Sequence, residues 1–130
     1  MRERGSVTFW LLGLSFALLT LGVLSVDLWA LIADRRELAA VADAAATAAA
    51  TAVDEGHWRS SQVLVLDRDE ATRRAWPLVG DLHTSIDFAP DGVTVTVSVR
   101  RTVQTALLGL AGREAVTVGA SSVATASLRD

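Results

Sequence analysis

Between Val7 and Val26 the chain reads VTFWLLGLSFALLTLGVLSV, a stretch without a single charge. As a helix it is about 30 Å long at 1.5 Å per residue, the thickness of a bilayer's hydrocarbon core. A soluble domain that enclosed so apolar a helix would need a far larger shell than 130 residues provide. Trp10 and Trp29 sit near its two ends, where an indole keeps its body in the apolar zone and its N–H hydrated. The competing reading is a removable secretory signal. Against it, Asp27-Leu28-Trp29 follows the run where a small-x-small cleavage site would stand, and the helical pattern continues past Asp27. The sequence thus predicts a short basic leader at 1–6 and a retained single-pass anchor at 7–26. Arg2 and Arg4 favour a cytoplasmic N-terminus and an extracytoplasmic C-terminal part, while Arg35-Arg36 on the far side reduces the charge contrast. Gly13 and Ala17 form a small-xxx-small pair, the spacing that lets a second helix approach closely within a membrane.

Past the anchor, residues 27–54 contain neither Pro nor Gly, and Ala dominates after Leu38. Alanine has the best helix propensity, so the helix is predicted to continue through 27–55 and to stop at Gly56. Leu31, Leu38, Val41, Ala45, Ala48 and Ala52 fall on one stripe at spacings of three, four or seven. Such a face buries little area per residue but permits very close packing. It suits a spacer helix covering a sheet, and equally a helix that packs against copies of itself or relatives in a filament.

Residues 56–130 are predicted to form a small α+β domain. Asp67 opens a short helix with Glu70 three residues on, the D-x-x-E form of a capping box, and Pro77 is expected to kink or end it. The period then changes. Leu82, Ile86 and Phe88 suggest a strand, and Ala89-Pro90-Asp91-Gly92 has turn chemistry. Val93, Val95, Val97 and Val99 alternate with Thr94, Thr96, Ser98 and Arg100, the clearest strand in the chain. Leu107-Leu108-Gly109-Leu110 reads as a loop or single turn. A last strand follows, with Val116, Val118, Ala120, Ala124, Ala126 and Leu128 on one face. The expected fold is a long N-terminal helix, a short second helix, then a three-stranded antiparallel sheet with one face on the long helix.

Little in the chain points to chemistry. The net charge is -3 and the arginines occur singly or in pairs, so no basic stripe is offered to nucleic acid. Without cysteine there are no disulfides, thiolate metal sites or thiol nucleophiles. His57 and His83 have no partner at metal-ligand spacing, and His57 reads as a solvated loop residue. Asp67 and Asp69 lack the Gly and terminal Glu of a calcium loop. No catalytic residue, cofactor site or small-molecule substrate is expected.

Arg4-Gly5-Ser6-Val7 stands before the apolar helix and Val26-Asp27-Leu28 after it, followed by Arg35-Arg36-Glu37-Leu38 and the Ala-rich run Ala42-Asp43-Ala44 through Ala50. In these features the N-terminal half resembles the TadE/TadG-like proteins of the tight-adherence (Flp) pilus system. Leu66-Asp67 and Leu107–Leu110 are similar to features of the family's C-terminal half. The resemblance implies a pilin-like fold and a minor pilin or pseudopilin that assembles with other pilin-like subunits and the Tad secretion machinery. It also implies a prepilin peptidase cutting between Gly5 and Ser6. Counted from Ser6, the fifth residue is Trp10, where pilins generally carry Glu, a departure that suits a tip or initiation role better than a place along the shaft. The alternative is a membrane-anchored accessory or binding protein that never enters a filament.

Overall fold

The computed structural model describes residues 4–105, 112 and 115–127. Six elements follow in order: α1 (Arg4–Ala50), α2 (Glu55–Ser61), α3 (Arg68–Val79), β1 (His83–Phe88), β2 (Thr94–Gln104) and β3 (Ala115–Thr125). The strands form one antiparallel sheet in the order β1-β2-β3, the predicted α+β arrangement. The chain divides into two compact units, 1–33 with 103–116 and 34–102 with 117–130.

In the first unit, α1 is one uninterrupted apolar helix. Phe9, Trp10, Leu12, Phe16 and Leu19 are each more than two-thirds exposed. Two hydroxyls here bond their own helix, Thr20 Oγ1 to the Phe16 carbonyl and Ser25 Oγ to the Leu21 carbonyl, each at 2.8 Å. Those bonds leave no side-chain hydroxyl of this pair dependent on water, as a lipid-facing helix requires.

The second unit holds the core. Leu38, Ala42, Ala45, Ala46 and Ala49 of α1 share one buried cluster with Ala71 and Ala75 of α3 and with Val95, Val97 and Val99 of β2. The alternation read in the sequence is therefore real: β2 turns its valines inward and Thr94, Thr96 and Ser98 outward. β1 pairs with β2 from His83 opposite Arg100 to Phe88 opposite Val95. The hairpin closes at Ala89–Gly92, where the Gly92 N–H donates to the Ala89 carbonyl at 3.2 Å with φ at +73°, a conformation glycine adopts without strain. Asp91 fixes the turn as well. Its carboxylate accepts from the Thr94 hydroxyl at 2.7 Å and from the backbone N–H groups of Val93 and Thr94.

Three expectations need correction. α1 does not run to Gly56. It ends at Ala50 in a tightened turn, with Thr51 N–H donating to the Ala48 carbonyl and Ala52 N–H to the Ala49 carbonyl. Gly56 instead lies inside α2, a seven-residue helix capped by Asp54, whose side chain accepts from the His57 N–H at 2.9 Å. His57 is accordingly a helical residue, though exposed. The second correction is to the alternative that Pro77 ends its helix, since Pro77 lies inside α3. It forfeits only the bond to the Arg73 carbonyl, and the helix closes two residues later at Val79. The third is the capping box, of which only half forms. Asp67 accepts from the N–H groups of Asp69 and Glu70, while the Glu70 carboxylate turns to Arg73 and Arg74. The segment Leu107–Leu110 and Leu128 lie outside the described residues.

A seam of backbone bonds ties the loops of this unit together. Asp54 N–H donates to the Val65 carbonyl and Asp67 N–H to the Ala52 carbonyl, around a bridge between Val53 and Leu66. Leu66 N–H then donates to the Gly92 carbonyl, and Ala126 N–H to the Val93 carbonyl. The end of α1, the start of α3, the hairpin turn and the chain after β3 thus meet on one line.

Candidate assembly surface

The residues singled out in the sequence fall on two differently used parts of α1. Gly5 lies in its first turn, and Ser6, Gly13 and Ala17 are exposed on the apolar part. A Cβ built on Gly13 would meet nothing within 4 Å, so the approach that a small residue permits is open there. On the Ala-rich part, Leu38, Ala45 and Ala52 are fully buried, whereas Val41, Ala48 and Leu31 are only half-buried. The centre of the buried face is the line Leu38, Ala42, Ala45, Ala49 with Ala46 beside it. Ala42, Ala46 and Ala49 escaped the sequence reading because a run that is almost all alanine has no contrast from which to fix a phase. The face is covered by the unit's own core.

Polar contacts between α1 and the strands hold that arrangement. Arg101 of β2 donates to Glu37 at 3.2 Å and lies 3.8 Å from Asp34, and the Ser122 hydroxyl of β3 donates to Asp43 at 3.0 Å. Both arginine pairs are partly solvated, so they fix the helix's rotation more than they stabilise the fold. Arg74 of α3 reaches the other end of the helix. It donates to the Thr51 carbonyl and hydroxyl, both at 2.9 Å, while its Nε donates to Glu70 at 2.9 Å. The last turn of α1 carries no basic residue of its own, and this guanidinium supplies the cation that the helix's C-terminal dipole favours.

Among the described residues no three of His, Asp and Glu come together as a metal set. His57 and His83 are both exposed, on α2 and at the start of β1. The Asp91 carboxyl is held below its ordinary value by the Thr94 hydroxyl and by the Val93 and Thr94 N–H groups. That carboxylate is a turn staple.

The chain thus has one exposed apolar helix, long enough by length and composition to cross a membrane, and an α+β unit. Residues 5–52 match the family model described as Tad, "Putative Flp pilus-assembly TadE/G-like". The match supports a role in the Flp/Tad pilus system. No curated protein matches the chain, and no solved structure matches it.

Proposed function

We propose that the protein is a minor pilin-like or pseudopilin-like structural subunit, or an assembly factor, of a Flp/Tad-type pilus, anchored in the cell membrane by residues 7–26 with the C-terminal domain outside. The observation that carries this reading is the division of labour along α1. Its Ala face is closed off by the domain's own strands, while every large apolar side chain from Val7 to Val26 is exposed. Contacts with other pilin-like subunits must then run through the apolar part, with Gly13 and Ala17 as the close-approach point. A helix so exposed and so apolar meets only lipid or other such helices.

Cysteine introduced at Gly13 should crosslink in native membranes to a companion pilin-like subunit. Cysteine at Ala44, on the exposed side of the Ala-rich part, should not. Sheared filaments should contain the protein at low stoichiometry. Recovery in the membrane fraction alone, with filaments still formed, would reduce it to an anchored accessory protein. Processing by a prepilin peptidase belongs to the same proposal. The mature chain should begin at Ser6, and Gly5→Leu should leave Met1 in place, because the peptidase needs a small residue at the cleaved bond. N-terminal sequencing of both proteins decides the point.

A further inference from the structure

The sheet ends in two outer strands, β1 and β3, because β2 is its middle one. Outer strands are commonly guarded by charge or proline, since their unpaired N–H and carbonyl groups can recruit another strand. β3 has neither guard: its eleven residues include no charged side chain and no proline. Two bonds fix which backbone groups point outward. Ala126 N–H donates to the Val93 carbonyl, so the even-numbered residues of β3 bond β2, and Gly119, Ser121 and Val123 turn their groups to the free edge. Ala89 N–H donates to the Thr94 carbonyl, so the odd-numbered residues of β1 bond β2, and Thr84, Ile86 and Phe88 face its free edge. The outward groups thus belong to core-side residues on β1 and to outer-face residues on β3. A parallel ladder, whose slanted bonds run from one residue to the two flanking its opposite number, needs this stagger. The side chains add a charge match on the outer face. At Gly119 a Cβ would lie 3.2 Å from Arg100 Cγ, so the arginine's stem leans over the bare glycine, toward the edge of β3. Asp87 is exposed on the other edge, on β1. Neither Arg100 nor Asp87 has an ionic partner among the described residues.

We propose that copies of this chain join edge to edge, β1 of one lying parallel beside β3 of the next, with the neighbouring copy's Asp87 alongside Gly119 and paired with Arg100. Strands in a sheet stand about 4.8 Å apart, so that Asp87 would lie about 10 Å from the Arg100 backbone, within the joint span of the two side chains. A second copy is the fitting occupant because this one chain carries both halves of the match. Parallel pairing also keeps the helices of all copies pointing one way. Gly119 stands beside Arg100, whose neighbour Arg101 meets Glu37, and further along β3 Ser122 meets Asp43. β3 therefore runs in the same direction as residues 34–50 of α1. Pairing β3 with β3 of a second copy would turn one of the two helices over. A single polarity suits subunits of one filament, and to that extent the inference rests on the pilin-like reading. It concerns copies of this chain, however, and not the companions met through Gly13.

The chain has no cysteine, so introduced thiols report without background. In the proposed register Ser85 of one copy faces Thr117 of the next, two residues before Asp87 and Gly119 on the same face. Within one chain β2 separates those positions. The full chain carrying Ser85→Cys and Thr117→Cys, mildly oxidised in native membranes, should give a ladder of dimers, trimers and longer multimers, because each contact leaves an edge free at both ends. Neither single variant should do so. Arg100→Asp added to the double variant should lower the linked fraction about fivefold, and further addition of Asp87→Arg should restore it. That rescue separates a lost ion pair from a damaged fold. Absence of the ladder would overturn the inference, as would a ladder indifferent to the charge reversal. So would dimers from Thr117→Cys alone, which mark a two-fold contact between β3 strands. The Gly13 crosslink reads the helix contact separately, so a missing ladder with that crosslink intact refutes the edge contact and leaves the pilin-like reading standing.

Discussion

Substitutions at adjacent positions of β2 should differ by several kcal/mol, because the sheet has one dry face and one wet one. Val97 is completely buried, and Thr96 next to it faces outward. In Val97→Asp the fold loses the burial of the valine, about 1.5–3 kcal/mol, and gains a carboxyl group with no donor to meet it, costing roughly as much again. The sum, about 4 kcal/mol or more, approaches the whole stability of a unit of some 80 residues at about 0.05–0.15 kcal/mol per residue. The register refines the control. Thr96 stands directly opposite Asp87, so Thr96→Asp sets two carboxylates across the strands and should cost about 0.2–1 kcal/mol. Thr96→Lys at the same site faces one carboxylate and should gain a similar amount. Thermal unfolding of the full chain in detergent should then place Thr96→Lys highest and Thr96→Asp a few degrees lower, at about 4–8 °C per kcal/mol. Val97→Asp should show no cooperative transition at all. If Thr96→Asp and Val97→Asp melt together, the assignment of faces is wrong. If Thr96→Lys and Thr96→Asp melt together, the pairing of β1 with β2 is wrong.

Two further outcomes are expected. Arg74→Met removes the donor to the Thr51 carbonyl and should cost about 1 kcal/mol, a figure already reduced because this side chain is 44% exposed. Its distinguishing sign is faster amide exchange at Ala52 and Asp54, next to the freed helix end, with the strands unchanged. Asp91 makes stability depend on pH. Its bonds favour the charged form, so their contribution is complete above the ordinary value of 3.8 and is lost as the pH falls through the lower folded value. Asp91→Asn should be less stable than wild type at neutral pH and should converge with it in acid. A gap that stays constant down to pH 2 would show that the carboxylate does not hold the turn.

Much of this architecture could be read from the chain because its signals were local. The valine alternation in β2, the Ala-Pro-Asp-Gly turn and the cap at Asp67 each lie within a few consecutive residues, and each is where the sequence puts it. What escaped was long-range or lacked contrast. Nothing local marks Ala50 as a helix end, since Ala and Thr continue on both sides; the stop comes from the pairing of 52–54 with 65–67 and from Arg74. Gly56 looked like a stop because glycine often is one, but the Asp54 cap recruits it into a new helix. The rotation of the Ala face depends on partners 64 and 79 residues away, Arg101 with Glu37 and Ser122 with Asp43, which no periodicity could announce.

The Ala face of α1 also has a consequence in time. Its cover includes β2, and its polar latch at Asp43 waits for Ser122, more than seventy residues later in synthesis. At about 5–20 residues per second the helix is complete some 4–15 s before that latch exists. For the first part of that interval, until α3 and β2 are made, the finished helix stands with that face bare. A face of leucines would be an invitation to misassembly, but alanine exposes so little apolar area that it can wait in water. The nascent chain therefore reaches its last strand without a sticky surface to shield.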